Sequence, residues 1–312
     1  MKLNKAALAI LAVFILALAL GFAASFFAKE HRLEPEKSDY HIYAANYPCY
    51  AISRLITEDV PDMHLNMLMQ PQLSGYASYE LSDWDQALLS GADVAVFMGN
   101  GFEEASAYTN ESTAIISLLS LATLEASPED CLILDFSLGE TPTYSPWLYI
   151  TPSGAMQLCE IMCGNMAYLD QMYSSNYYDN LDKAYELLSP FDEELRSLDV
   201  IQGVKVAVAH DAFLYTAKEL DAKVALSIRR DTVQSLSEDE VRQCINALNE
   251  NDIQVLFIER QADADMIKAF EDAGITVMRQ ELMLDIPETF SYQGLIDSYK
   301  ANTSEIEKAF SK

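Results

Sequence analysis

Three ionisable side chains stand at or shortly after the ends of apolar runs that are typical of buried strands. His210 follows VKVAVA, Glu259 ends IQVLFIE, and Asp285 comes after ITVMRQ, within ELMLDIPE. A neutral imidazole together with carboxylates is a suitable first ligand set for a divalent cation. Each of these residues alone is more often a hydrogen-bonded structural group. The prediction of a metal site therefore depends on their meeting at one place.

The elements that would position these side chains follow a regular order along the chain. The predicted strands are apolar or β-branched almost throughout, as in parallel strands that are covered on both faces. Helical patterns lie between them, and one opens with a capping box formed by Ser237 and Glu240. Parallel sheets bind ligands at the carboxyl ends of their strands, so the three side chains are expected at one edge. The predicted strands are residues 40–46, 93–99, 131–136, 204–209, 253–259 and 275–280.

The middle of the chain breaks this alternation. No strand pattern occurs between Ser153 and Leu198, and the segment predicts two helices, the second with a kink at Pro190. Strand–helix units lie on both sides, so we predict an α/β fold of two parallel-sheet lobes bridged by a long helix. The predicted parts are a signal peptide or signal anchor at 1–32, an N-terminal α/β lobe at 33–152, a helical segment with the bridging spine helix at 153–199, and a C-terminal α/β lobe at 200–312.

The first residues resemble an export signal. Lys2 and Lys5 precede an uncharged apolar stretch from Ala6 to Ala28, and about 20 apolar residues suffice to cross a bilayer. The segment GFAAS resembles a cleavage site, and no cysteine for a lipid anchor stands near it. We expect an exported protein in the periplasm or at the cell surface, with its leader either cleaved or kept as a membrane tether.

Composition and motifs argue against several classes of function. The chain has 20 Lys and Arg against 48 Asp and Glu, a net charge of -28, which disfavours nucleic-acid binding. It has no Gly-rich phosphate loop, HExxH or Ser/Cys nucleophile motif, so we do not predict an enzyme. The odd number of cysteines argues against a full disulfide framework. Cys159 and Cys163 are interpreted as small buried apolar residues, and whether the pair oxidises stays open.

Several segments resemble the zinc- and manganese-binding group of ABC-importer substrate-binding proteins. HDAFLY is close to the family's HDAFGY and is the most specific match, and SYELSDWDQALLSGADVAVFMGNGFE is similar to its SYEPSPSDIAALADADLVVYVGLGLE. PWLYITP resembles PHIWLDP, and VLFIERQ resembles VIFTEPQ. The resemblance covers residues 40–310. It implies two α/β lobes bridged by one helix, with the metal held in the cleft between them and an ABC permease as partner of a monomer.

The resemblance implies four metal ligands, and this chain retains only some of them. The third ligand falls on His210 and the carboxylate on Asp285, or on Glu281 if the gap is placed differently. The first two positions, which are histidines in the family, fall on Ala77 and Trp147. Since tight metal sites normally supply about four protein ligands, the loss of two nitrogen donors predicts weaker binding.

Aromatic side chains would replace these donors on the N-lobe wall of the cleft. One interpretation is a cleft that takes an organic or cationic ligand through cation–π contacts. In the other, the rings merely fill the space that the lost ligands leave. The predicted cleft wall comprises Ala77, Tyr79, Trp147 and Tyr149. Donors outside the family pattern that could rescue the site are His64, Glu80 and Asp83.

These observations predict the extracytoplasmic solute-binding component of an ABC importer. Its inherited ligand class is a divalent metal ion, zinc or manganese, bound as a solute and not as a catalytic cofactor. The predicted ligands are His210, Asp285 and Glu259. The alternative is a degenerate binding or sensory module for a non-metal ligand, which the two missing ligands and the absent lipid-anchor cysteine favour.

Overall fold

The structure is a computed structural model, and residues Tyr40–Lys312 form one compact unit in it. The predicted leader, Ala77, Tyr79 and Asp285 all lie outside the residues that it describes. Within the described part of the chain, no helix combines the length and the apolar character needed to span a bilayer. The described residues are 39–68, 82–99, 109–137, 143–230, 235–283 and 290–310.

The first lobe comprises β1 (Tyr40–Ala44), α1 (Tyr47–Thr57), β2 (Met63–Met67), α2 (Asp83–Ser90), β3 (Val94–Phe97) and β4 (Ala114–Ser117). Its sheet is parallel and four-stranded, with the strand order β2-β1-β3-β4. The predicted strands β1 and β3 are confirmed, and β3 is buried along its whole length. The sequence did not predict β2 and β4, in which exposed and more buried residues alternate.

The second sheet and its helices comprise β5 (Leu132–Asp135), β6 (Lys205–Val208), α5 (Phe213–Glu219), β7 (Lys223–Arg229), α6 (Glu238–Glu250), β8 (Val255–Glu259), α7 (Ala264–Asp272), β9 (Thr276–Gln280) and α8 (Gln293–Phe310). This sheet is also parallel and has five strands in the order β5-β7-β6-β8-β9. The predictions of β5, β6, β8 and β9 are confirmed, whereas β7 was not predicted. The capping box of Ser237 and Glu240 is present at the start of α6.

The position of β5 differs from the predicted division into lobes. This strand lies within the predicted first lobe, 33–152, and yet it pairs in parallel with β7 of the second sheet. Parallel strands need a crossover connection, which allows a strand to join a sheet distant in sequence. The sheet of the first lobe therefore ends at β4.

Two long helices fill the middle of the chain, as predicted. They are α3 (Pro152–Leu169) and α4 (Ser174–Arg196), and α4 continues through Pro190. The helix α4 packs against α1 of the first lobe and against α8, which itself packs on β9 of the second. Apolar side chains of both sheets join one hydrophobic cluster. The fold of two parallel-sheet α/β lobes bridged by a long helix is thereby confirmed.

None of the five cysteines, all of which lie among the described residues, forms a disulfide bond. Cys159 and Cys163 lie one turn apart in α3 and are fully buried. Burial raises the pKa of both thiols, that of Cys163 to about 11. A protonated, buried thiol is a poor nucleophile and a poor metal ligand, so this pair serves as apolar filling.

Candidate functional site

A row of almost fully buried polar side chains follows the carboxyl edge of the second sheet. Arg230 comes directly after β7, His210 follows β6, Glu259 ends β8 and Gln280 ends β9. Their exposed fractions are 2%, 0%, 1% and 0%. Because β6 lies between β7 and β8, His210 stands between Arg230 and Glu259 in this row.

Strand register brings two of the predicted ligands to the same level. Val208 of β6 is paired with Phe257 of β8, and His210 and Glu259 each come two residues later. The backbone amide of Ala209 also donates a hydrogen bond to the carbonyl of Phe257, at 2.8 Å. The structure thus places His210 and Glu259 on adjacent strands at one edge.

Glu259 is engaged by a cation of the protein itself. The Arg230 guanidinium forms an ion pair with the Glu259 carboxylate through Nη2 and Oε1. Both groups are buried, and each neutralises a charge that would be costly to bury alone. Since β6 separates the two strands, the Arg230 side chain reaches across the end of the strand that carries His210.

Arg230 was missed by the sequence analysis. The only local signal is that the run KVALSIRR ends in two arginines, which is unusual after a buried strand. That run was not predicted as a strand, so its arginines had no predicted place at a sheet edge.

The imidazole of His210 is neutral at physiological pH. Burial and then the positive charge of Arg230 lower the pKa of His210 from 6.5 to about 3. Its Nδ1 atom accepts a hydrogen bond from the backbone amide of Ala212 at 3.1 Å and lies 3.2 Å from Asp211 Oδ1. Each neutral tautomer therefore has a partner: Nδ1 accepts from Ala212 when the proton is on Nε2, and it donates to Asp211 when it carries the proton itself.

An aromatic wall packs against this imidazole, as the sequence predicts for two of its members. The Trp147 ring meets the His210 ring edge-on, with centroids 4.8 Å apart and an interplanar angle of 82°. Tyr149 lies next to Trp147, at 6.0 Å between centroids. Its hydroxyl donates to the carbonyl of Leu282 at 3.1 Å. The segment that precedes Asp285 is therefore held beside the same wall.

Tyrosine hydroxyls fasten the first lobe to the last segment of the chain. Tyr47 donates to the carbonyl of Ser291 at 3.1 Å and accepts from the amide of Leu295 at 3.0 Å. Burial raises the pKa of Tyr47 to about 12, so its hydroxyl keeps its proton. Tyr50 donates in the same way to the carbonyl of Phe290 at 3.1 Å. These hydrogen bonds connect α1 to the start of α8 and to the residues just before it.

Two of the three donors that the sequence offered outside the family pattern, His64 and Asp83, lie among the described residues. His64 is exposed in β2 with its ring stacked on His41, at 4.9 Å between centroids. Asp83 is exposed in the first turn of α2, and Glu80 lies outside the described residues. Glu281 forms an ion pair with Arg260 at 2.5 Å. Among the residues that the structure describes, no group of three or more His, Cys, Asp or Glu side chains could hold a metal ion.

The family of the chain follows from its sequence. A family model described as zinc-uptake complex component A, periplasmic, matches residues 42–309. The chain belongs to this family. No curated protein is significantly similar to it in sequence.

Solved structures share the fold at low sequence identity. FpvC from Pseudomonas aeruginosa, solved in complex with Mn²⁺, superposes with a TM-score of 0.72 at 17% identity, covering 88% of this chain and 99% of FpvC. The laminin-binding protein Lmb of Streptococcus agalactiae gives 0.66 at 17% identity, covering 87% and 99%. ZnuA gives 0.64 at 20% identity, covering 88% and 100%. At these identities the likeness shows the fold alone.

Family membership defines the general role of the molecule. Proteins of this family are extracytoplasmic solute-binding components of ABC importers for divalent metal ions, and they work with a permease and an ATPase. They are binding proteins and not enzymes, and the metal is their solute and not a catalytic cofactor. The chain is such a component.

Proposed function

We propose that this chain binds a zinc or manganese ion at the carboxyl edge of its second sheet and presents it to an ABC permease. The proposed ligands are the imidazole of His210 and the carboxylates of Asp285 and Glu259. The single observation that carries this assignment is the placement of a fully buried, neutral His210 at the end of β6, against the wall formed by Trp147.

The surroundings of His210 suit a nitrogen ligand. A neutral imidazole keeps a lone pair for a metal, and histidine ligands usually donate their other ring N–H to a carboxylate or a carbonyl. Asp211 Oδ1, at 3.2 Å from Nδ1, is in place to accept that proton. Metal binding through Nε2 would therefore favour the tautomer that carries its proton on Nδ1.

Support for Asp285 comes from the chain that leads to it. Leu282 is held by the Tyr149 hydroxyl, and Met283 is buried and has a φ of 58°. Two residues further along, an extended chain reaches at most about 7 Å. Because Asp285 follows Met283 by only two residues, we expect its carboxylate near the wall that packs on His210.

The neighbours in the family are consistent with this proposal. The family is named for zinc uptake, and the similar FpvC structure contains Mn²⁺. Trp147 occupies the position where the resemblance implies a second histidine, so we expect weaker binding than a site with four protein ligands would give.

The test is a metal titration of the purified, chelator-treated protein, followed by calorimetry and by melting temperature. A ligand at a hundredfold excess over its dissociation constant stabilises a protein by about 2.7 kcal/mol. We expect zinc or manganese to raise the melting temperature, and His210→Ala and Asp285→Ala each to abolish the rise. His64→Ala, which removes an exposed imidazole of the first sheet, is the matched control and should leave it unchanged. A rise that survives both substitutions, or no binding of either metal, would contradict the proposal.

We also propose that the chain is a monomer, tethered to the membrane if the segment 1–32 is not cleaved. The proposal includes the division of the chain into an N-terminal lobe at 33–152, a helical segment at 153–199 and a C-terminal lobe at 200–312. The strand β5 of the N-terminal lobe pairs with β7 of the second sheet. Light scattering of the purified protein tests the first statement. Fractionation of cells that express the full chain tests the second, because a cleaved protein would leave the membrane fraction.

A further inference from the structure

The ion pair of Arg230 and Glu259 is not part of the ligand pattern that the family resemblance implies. It combines a 2% exposed arginine with a 1% exposed glutamate. It also lies beside His210, the residue on which the proposed metal site depends. A protein cation next to a site for a cation needs a physical explanation.

The sheet order determines where the guanidinium lies. Arg230 follows β7 and Glu259 ends β8, with β6 between them. Neighbouring strands are about 4.8 Å apart, so the two strands are separated by roughly 9–10 Å. The Arg230 side chain must therefore extend over the end of β6 to reach Glu259. Its charge acts on the imidazole of His210, where it is the second cause, after burial, of the lowered pKa.

This arrangement affects a bound metal in two ways. A divalent ion at His210 would approach a fixed positive charge in an interior that screens charges poorly. The carboxylate of Glu259 is also committed to the guanidinium, so its negative charge is not at the disposal of the metal at the same time. Both effects weaken metal binding.

We propose that Arg230 is a specificity-determining residue of the cargo site, a built-in cation that repels the metal at His210 and competes with it for Glu259 across the end of β6. A divalent ion then binds fully only when the guanidinium gives up this carboxylate. This inference rests on the proposed function. The inference also predicts a preference between metals. An ion that takes most of its binding free energy from the imidazole nitrogen of His210 loses the smallest share of it when the Glu259 carboxylate is paired with Arg230. Zinc binds such ligands more strongly than manganese does.

The test compares two neighbouring arginines by metal calorimetry on the chelator-treated full chain. We expect Arg230→Gln to bind manganese at least tenfold more tightly than the wild type, with a smaller gain for zinc, so that the preference for zinc falls. Arg229→Gln is the matched control. Arg229 is also buried, but it contacts the Ala126 carbonyl, the Ser127 hydroxyl and Asp135 on the β5 side. The affinity of the Arg229→Gln variant for both metals should equal that of the wild type.

A second pair of variants keeps the inference testable if Arg230→Gln does not fold. Glu259→Gln and the double variant Arg230→Met with Glu259→Gln both lack the carboxylate and differ chiefly in the guanidinium. The double variant should bind either metal at least tenfold more tightly than Glu259→Gln. Equal affinities in this pair would overturn the inference.

The outcomes separate this inference from the proposed function. If the wild type binds metal through His210 and Arg230→Gln shows no gain, the inference is wrong and the proposed function stands. If neither protein binds zinc or manganese, both are wrong. If only Arg230→Gln binds, the inference is supported and metal binding by the wild-type chain is contradicted.

Discussion

The carboxyl edges of the two sheets differ in what they hold, although both sheets are parallel. In the first sheet, β1 is an inner strand, and buried Ala45 and then Asn46 follow it. The Asn46 side chain accepts a hydrogen bond from the Cys49 amide at 3.0 Å and caps the start of α1. The equivalent place in the second sheet, after β6, holds His210 between the charges of Arg230 and Glu259. The comparison concerns the described strand ends, since residues 69–81 and 100–108 lie outside them.

The difference shows that the edge of one parallel sheet serves the stability of the fold, while the edge of the other holds groups suited to binding. Asn46 satisfies a helix end, which stabilises the fold directly. Buried charged groups do the opposite unless they are paired, and perturbed ionisable groups cluster at functional sites. The second edge therefore holds the groups that folding alone does not require.

The largest expected effect comes from breaking the ion pair of the second edge. Arg230→Met leaves Glu259 buried without its cation, and the free energy of unfolding should fall by about 3–5 kcal/mol. The double variant with Glu259→Gln should lose much less, because it removes both charges. Urea denaturation of the metal-free proteins measures both values. Equal losses in the single and double variants would show that the unpaired carboxylate of Glu259 is not the cause of the loss.

The next effect is expected from acid, through His210, and for each pH unit it is smaller than the loss in Arg230→Met. The pKa of this residue is 6.5 in its ordinary state and about 3 in the fold, so the unfolded chain binds a proton first as the pH falls. The stabilisation is fully present above pH 6.5 and is lost toward pH 3, by about 1.4 kcal/mol per pH unit. As the pH falls from 6.5 toward 3, the free energy of unfolding of the metal-free protein should therefore fall less steeply in His210→Gln than in the wild type. Identical slopes in the variant and the wild type would contradict the prediction.

The smallest effect belongs to the first edge. Asn46→Ala removes the side-chain cap of α1 and should lower the free energy of unfolding by about 1 kcal/mol. Metal affinity should stay unchanged, because this cap follows a strand of the first sheet, whereas the proposed ligand His210 follows a strand of the second. Chemical denaturation and calorimetry of the same variant check both statements. A loss of metal binding would place the first edge in the site and end the contrast between the two sheets.

The elements predicted from the sequence were those whose patterns are purely local. The runs of β3 and β8 are buried at every residue, and continuous apolar runs of this kind are recognisable without tertiary information. The strand β2 was missed because its exposed polar residues, His64 and Asn66, interrupt such an apolar run. In β7, Lys223 at one end and Arg229 at the other hid a strand whose pairing with β6 shifts register between Val206 and Ala207.

The candidate site divides in the same way. His210 was found because a histidine directly after an apolar run, within HDAFLY, is a local and specific signal. The contact of Trp147 with His210 joins residues 63 positions apart in the chain, at 4.8 Å between their rings. The resemblance placed both residues at the cleft, but no spacing in the sequence states that their rings meet.

The sequence by itself determined the alternation of strands and helices, the bridging helix and the position of His210 at a strand end, because these depend on side chains that are neighbours along the chain. Only the tertiary structure decided that β5 joins the second sheet and that Arg230 crosses the end of β6 to Glu259. The physical reason is that strand order in a parallel sheet arises from pairings between distant segments. The charge beside His210 is a consequence of that order and not of any local pattern.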